Sequence, residues 1–319
     1  TTDGPQESPS ISSLKGGGFV VTWQSIGQDG DHGAIISRVF DDSGSPISSE
    51  ILSNTTTEKT QNSPDVAELS DGGFVNVWQS QLFDARGWAY NVVGQRHDAT
   101  GEKVGGEFII NDELSWGSAN YASVTTLSNG NFVVAWQSED DSAGTPDEYT
   151  FHGRIYNSDG DALGTQFQIN TEKSDFIPDL NSHHPEQGLS VAALGDGNFV
   201  ATWRANEDAS FDVNQSDDLH NGIFGQIFDQ YGSKIGSEFK VNTYDKSIGH
   251  DATPFEFGQF SPSATSLKDG GFLVSWSSGD NVQGGNGDDV FAQVFNSYGA
   301  KIGEEFQLNT HKNYHQYSH

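Results

Sequence analysis

An all-β fold, a five-bladed β-propeller of four-stranded antiparallel blades, is what this sequence predicts, and three observations carry the prediction. A phrase recurs five times: "GGGFVVTWQS" at 16, "GGFVNVWQS" at 72, "GNFVVAWQS" at 130, "GNFVATWRA" at 197 and "GGFLVSWSS" at 270. Its tryptophans, Trp23, Trp78, Trp136, Trp203 and Trp276, stand 55, 58, 67 and 73 residues apart, a period that belongs to propellers and arrays. Each copy sits among four segments with the period-2 alternation of half-buried strands. Glycine also returns at fixed turn positions, where tight hairpins need positive φ.

The four segments justify the blade in order. Strand A is "SISSL" at 10, "DVAEL" at 65, "SVTTL" at 123, "SVAAL" at 190 and "SATSL" at 263; strand B is the repeated phrase. Strand C is "IISRVFD" at 35, "VVGQRHD" at 92, "FHGRIYN" at 151, "IFGQIFD" at 223 and "VFAQVFN" at 290. Strand D is "EILSN" at 50, "EFIIN" at 107, "QFQIN" at 166, "EFKVN" at 238 and "EFQLN" at 305. The A–B and C–D links are short and glycine-bearing, while the B–C and D–A links are long and unequal. In an up-and-down meander the short turns share one end of each blade and the long loops the other. Function is expected at the loop end, because loops on a rigid scaffold carry it. The tryptophan stripe is read as core packing. The small residue in the middle of strand C (Ser37, Gly94, Gly153, Gly225, Ala292) is expected to face a tryptophan.

One domain is expected over 1–319, with repeats at about 9–55, 64–112, 122–171, 189–243 and 262–310 and a tail at 311–319. The chain opens before an A strand and ends after a D strand, so closure by the C-terminal strand completing the first blade is expected. Apolar residues make up only 33% of the 319 residues and glycines number 38. Many thin cores fit that composition better than one large core.

The net charge of −30 argues against nucleic-acid binding and against docking on anionic membranes, and favours cations. The absence of cysteine excludes disulfides, thiolate metal sites and cysteine nucleophiles. No apolar run approaches the length of a membrane span. Methionine is absent, so the start "TTDGPQ" is read as a processed or excised N-terminus. A secreted protein is the expectation.

The composite pattern "SP.V..L.dGGFVV.WQS … vfGQ.fd..G..iG.EF.vNT", running from Ser8 to Thr310, resembles repeats of large secreted bacterial calcium-binding and adhesin-type proteins of the RTX kind. The resemblance implies a secreted propeller and no particular reaction. Only "GGNGDDV" at 284 approximates the RTX nonapeptide, and one copy cannot form a β-roll.

Candidate sites fall in the long loops. Acidic B–C loops could supply the six to eight oxygens that calcium wants; Asp217, Asp218, Asp288 and Asp289 are the chosen candidates. The alternative is solvated loop charge, and no EF-hand loop is present. Nine of the ten histidines lie in loops, in the tail or at the start of strand C, and His32 and His220 occupy equivalent positions four before Ile36 and Phe224. With neighbouring carboxylates they could hold a transition metal. His97 is the exception, replacing the Phe or Tyr of strand C near the tight turns. Trp88, Tyr90, Trp116, Tyr121 and Tyr149 are candidate ligand-binding residues, because exposed rings beside polar edges suit sugar faces. No nucleophile elbow, P-loop or H-E-x-x-H is present. Among the first residues of the A strands, Ser10, Asp65, Ser123, Ser190 and Ser263, only one acid appears, fewer than a glycosidase needs. The expectation is therefore a cation-stabilised recognition module for carbohydrate or a cell-surface polymer, with enzymatic activity left open. The alternatives are a metal-assisted hydrolase using loop carboxylates and a toxin or cofactor carrier with a histidine-rich face. The oligomeric state is left open.

Overall fold

The computed structural model describes residues 4–84, 87–112, 118–140, 148–171, 174–175, 188–206, 221–243, 258–279 and 289–310. The fold is the all-β five-bladed propeller, with five four-stranded antiparallel sheets in simple meander order. The first sheet is β1 (Gln6–Ser13), β2 (Phe19–Ile26), β3 (Gly33–Phe40) and β4 (Ile51–Leu52). The second is β5 (Gln61–Glu68), β6 (Phe74–Asp84), β7 (Gly87–His97) and β8 (Lys103–Ile109). The third is β9 (Ala119–Thr126), β10 (Phe132–Asp140), β11 (Glu148–Tyr156) and β12 (Phe167–Gln168); β13 (Ser174–Asp175) is a short strand outside this order. The fourth is β14 (Leu189–Ala193), β15 (Phe199–Asn206), β16 (Asn221–Phe228) and β17 (Lys234–Lys240). The fifth is β18 (Gln259–Ser266), β19 (Phe272–Ser278), β20 (Asp289–Phe295) and β21 (Lys301–Gln307). The chain divides into two compact units, Thr1–Gln168 with three sheets and Ile169–His319 with two. No helix among the described residues is long and apolar enough to cross a membrane.

Two details of the expected blade are corrected. The C-terminal strand does not complete the first blade: β21 pairs with β20 as the fourth strand of its own sheet, and β1 is the first strand of its own. The reason is local. A five-residue hairpin link in each repeat brings D back onto the C strand just made, so the nearest partner wins. The small residue of strand C does not face the tryptophan either. A Cβ placed on Gly94, Gly153 or Gly225 would lie 2.6, 2.6 or 2.7 Å from Cζ of Phe108, Phe167 or Phe239, the ring that strand D lays across it. The residue opposite each tryptophan is instead Ile36, Val93, His152, Phe224 or Phe291.

The repeated phrase builds the core as expected. Trp78, Trp136, Trp203 and Trp276 are buried, while Trp23 is half-buried. The Phe that opens strand B stacks on the aromatic that closes strand C: Phe19 on Phe40, Phe74 on His97, Phe132 on Tyr156, Phe199 on Phe228 and Phe272 on Phe295, with centroids 4.7–5.1 Å apart.

The "N-T" and "K-x-G-x-E-F" signatures turn out to be clasps between sheets. Glu107 accepts from the Thr55 and Thr56 amides while Lys103 Nζ donates to the Asn54 carbonyl (3.0 Å) and Thr55 Oγ1 (2.9 Å). Glu238 and Lys234 hold Thr171, and Glu305 and Lys301 hold Thr243, in the same way. Where the repeat has Asp112 in place of Thr, a glutamate would meet a like charge. There Gln166 accepts from the Asp112 amide at 3.1 Å, and Arg154 binds the Asp112 carboxylate. The asparagine before each clasp caps strand C: the Oδ1 atoms of Asn54, Asn111, Asn242 and Asn309 accept from the amides of Ile35, Val92, Ile223 and Val290 at 2.8–2.9 Å. Asn54 is fully buried in this role, so its N-x-T sequon is closed to modification.

Candidate functional site

The loop ends are built on a bulge. The A strands begin four residues earlier than the sequence predicts, at Gln6, Gln61, Ala119 and Gln259, and each bends through a register shift before Ser10, Asp65, Ser123 and Ser263. Ser8, Ser63, Tyr121 and Ser261 take φ of 48–51° at the bend. A following proline, at 9, 64 and 262, donates nothing to the ladder, so the bulge is where it is tolerated. Bulges of this kind re-aim side chains beside functional sites.

Beyond the bulge, the strand A glutamine stands opposite the serine of "WQS": Gln6 and Ser25, Gln61 and Ser80, Gln259 and Ser278. Trp23 Nε1 donates to Gln6 Oε1 at 2.7 Å and Trp78 Nε1 to Gln61 Oε1 at 3.3 Å. The third sheet departs twice. Ala119 replaces the glutamine opposite Ser138, and His152 replaces the apolar residue opposite Trp136. Trp136 Nε1 donates directly to Ser138 Oγ (3.1 Å), and Ser138 Oγ lies 3.1 Å from His152 Nδ1. Indole is a donor only. The serine oxygen therefore accepts from it and shares a second hydrogen bond with Nδ1. Burial holds the His152 pKa below its usual value against the pull of Asp112, so the ring is neutral at pH 7. Ser138 is buried and its oxygen already accepts a hydrogen bond, which makes it a poor nucleophile.

Farther out on the same sheet the register sets Asp140 opposite Glu148 and Glu139 opposite Tyr149. In the ladders between consecutive strands of the five sheets, among the described residues, only here do two acidic residues face each other. Like charges directly opposite destabilise a ladder.

Three of the expected ligand-binding residues come to this region. Tyr121 forms the strained bend of β9, Tyr149 lies on β11, and the Tyr90 amide on β7 donates to Ser118 Oγ (3.3 Å) just ahead of β9. Burial pushes the Tyr90 pKa up. Trp88 is placed by its backbone, in β7 opposite Phe83. Trp116, Asp217, Asp218, His220 and Asp288 lie outside the described residues. Of the remaining metal candidates, His32 is exposed with Nδ1 2.5 Å from Asp31, whose other oxygen accepts from the Lys59 amide at 2.7 Å. Asp289 is buried, and its Oδ1 accepts from Asn309 Nδ2 at 2.7 Å. No group of three or more metal-binding side chains occurs among the described residues.

Asp65, the one acid among the first residues of the expected A strands, is a pin between sheets. Its Oδ1 accepts from Ser10 Oγ (2.6 Å) and the Val66 amide (2.9 Å), and its Oδ2 from the Val124 amide (2.9 Å). Burial raises its pKa, partly offset by these hydrogen bonds.

No family model and no curated protein matches the sequence. Solved structures do match across nearly the whole chain. The GH93 α-L-arabinofuranosidase of Fusarium graminearum with arabinobiose is 12% identical with a TM-score of 0.59, over 98% of this chain and 85% of that one. The Penicillium chrysogenum α-L-arabinanase complexed with arabinobiose is 13% identical with a TM-score of 0.57, over 98% and 83%. A protein of unknown function from Dyadobacter fermentans is 13% identical with a TM-score of 0.55, over 96% and 83%. These likenesses support the propeller and overturn the expectation of a recognition module, since two of the three neighbours are named as an α-L-arabinofuranosidase and an α-L-arabinanase.

Proposed function

We propose that the chain is a glycoside hydrolase whose substrate is a carbohydrate bearing arabinofuranosyl units, with its reacting centre at the loop end of the third sheet. The observation that carries this reading is the opposed pair Asp140 and Glu148 on a fold otherwise met in arabinan-cleaving enzymes. Glycoside hydrolysis needs two carboxyl groups, one to protonate the leaving oxygen and one to act as nucleophile or to activate water. Residues opposite each other in an antiparallel ladder carry their Cβ atoms roughly 4.5–5.5 Å apart. Retaining enzymes hold their two carboxyl groups about 5–5.5 Å apart. Two carboxyl groups of this kind divide the work, one as acid and the other as base or nucleophile.

Arabinobiose and linear arabinan are the substrates to test, by release of arabinose. Asp140→Asn and Glu148→Gln should each lower kcat by about 100-fold or more with a melting temperature no lower than that of wild type. Hydrolysis by the double variant at the wild-type rate would rule the pair out, and a wild-type protein inert on all arabinofuranosides would rule out the substrate class.

A further inference from the structure

Two tyrosines stand apart from every other aromatic residue described. Tyr231 and Tyr298 are 78% and 85% exposed, the highest values among the large apolar and aromatic side chains. Both occupy the same place, the residue before the glycine of the C–D turn, in the fourth and fifth sheets. The first three sheets carry Ser43, Thr100 and Asp159 there. An exposed tyrosine is not needed to make this turn, since three copies form it without one.

The turn holds each ring on a fixed base. Asp229 Oδ1 accepts from the Tyr231 and Ser233 amides at 2.9 and 2.8 Å, and Asn296 Oδ1 accepts from the Tyr298 and Ala300 amides at 3.0 Å each. The same cage forms around Asp41, Asp98 and Asn157. The backbone under each ring is therefore ordered before any ligand arrives, and binding need only restrict side-chain torsions. The two turns are neighbours. A Cβ on Gly299 would lie 3.1 Å from Phe239 and 3.3 Å from Ile227, so the Tyr298 turn rests on the fourth sheet. The two turns therefore project from adjacent packed sheets, whose usual spacing is roughly 10 Å.

We propose that Tyr231 and Tyr298 form a second carbohydrate-binding site, at the tight-turn end of the fourth and fifth sheets, that holds a neutral polysaccharide chain by stacking two of its sugar rings. The inference rests on the hydrolase reading for the identity of the polymer. Two rings at one repeat position match a polymer better than a single small ligand. The net charge of −30 disfavours polyanions and leaves a neutral polyol as the fitting partner. A site at the end opposite the long loops would keep a long substrate near the enzyme while the reacting centre turns over other parts of it, a gain in effective concentration.

The test is affinity electrophoresis of the full chain through native gels with and without soluble linear arabinan. The comparison is between wild type, the Tyr231→Thr/Tyr298→Thr double variant, and the Asp140→Asn variant. Threonine is the residue the second sheet carries at this position, and its hydroxyl joins the cage there, from Thr100 Oγ1 to Asp98. Thermal melts of the double variant should match wild type. Arabinan should retard wild type and Asp140→Asn alike, and the double variant should bind about tenfold more weakly or less. A double variant retarded as strongly as wild type overturns the second site. So does a wild type that arabinan does not retard; release of arabinose from arabinobiose by that same protein would leave the hydrolase reading standing.

Discussion

At the scale of single residues, His97 shows what a repeat position demands. Four sheets close strand C with Phe or Tyr, and His97 stacks on Phe74 in their manner, 4.7 Å between centroids and 8° between planes. Neither ring nitrogen finds a hydrogen-bond partner of good geometry, and both are buried. Burial, helped by nearby Lys103, drives its pKa down from 6.5 to about 4. The unfolded chain binds the proton first as pH falls, so stability is complete above pH 6.5 and drains away down to about pH 4. The loss amounts to about 3 kcal/mol. His97→Phe, the residue of three other sheets, should flatten the fall in melting temperature between pH 7 and pH 4.5. An equal fall in wild type and variant would place the acid lability elsewhere. Asp65 is the opposite case, a polar residue saturated with donors. Asp65→Asn would turn an amide N–H toward the donors of Val66 or Val124 and should cost about 1–3 kcal/mol in denaturant unfolding.

At the scale of elements, the glycine of strand C is a packing requirement. Gly153 lies under the ring of Phe167, and the first atom of any larger side chain would fall 2.6 Å from Cζ. Gly153→Ala should destabilise by about 1–3 kcal/mol through overpacking, and Phe167→Leu in the same chain should recover part of the loss. A buried polar cluster at the first and second sheets follows similar logic. Thr22, Ser37, Ser53 and Asn76 are fully buried and bonded to one another at 2.8–2.9 Å, with Ser53 and Asn76 standing where the other repeats place apolar side chains and Ser37 where they place Gly or Ala. Each member is satisfied only by the others, so the four substitutions make sense together and not singly. The clasps obey the same rule: Asp112 goes with Gln166 and Arg154, whereas Thr55 goes with Glu107 and Lys103. The tight links also locate Tyr231 and Tyr298, whose signal in the sequence is plain in hindsight, since two of five "x-G" turns carry an aromatic.

At the scale of the whole molecule, the sequence by itself determined the fold class, the number of sheets, the four strands of each and the end at which the long loops gather. Those are properties of period, turn glycines and alternation, each of which is local and repeated five times, so agreement among copies suppresses error. It read Tyr90, Tyr121 and Tyr149 as loop residues, and the strands run on to include all three. It assigned the small strand C residues to the tryptophans and the last strand to the first blade, because one-dimensional pattern names a need for space or for a partner without naming the neighbour that supplies it. Tertiary structure decided those neighbours: Phe108, Phe167 and Phe239 over the glycines, β20 beside β21, and Asp65 among three A strands. It alone aligned Asp140 with Glu148 and brought Ser138 to His152. Register depends on the bulge at Tyr121 and on the hairpin between β10 and β11, and a shift of one residue would turn every one of these side chains to the other face.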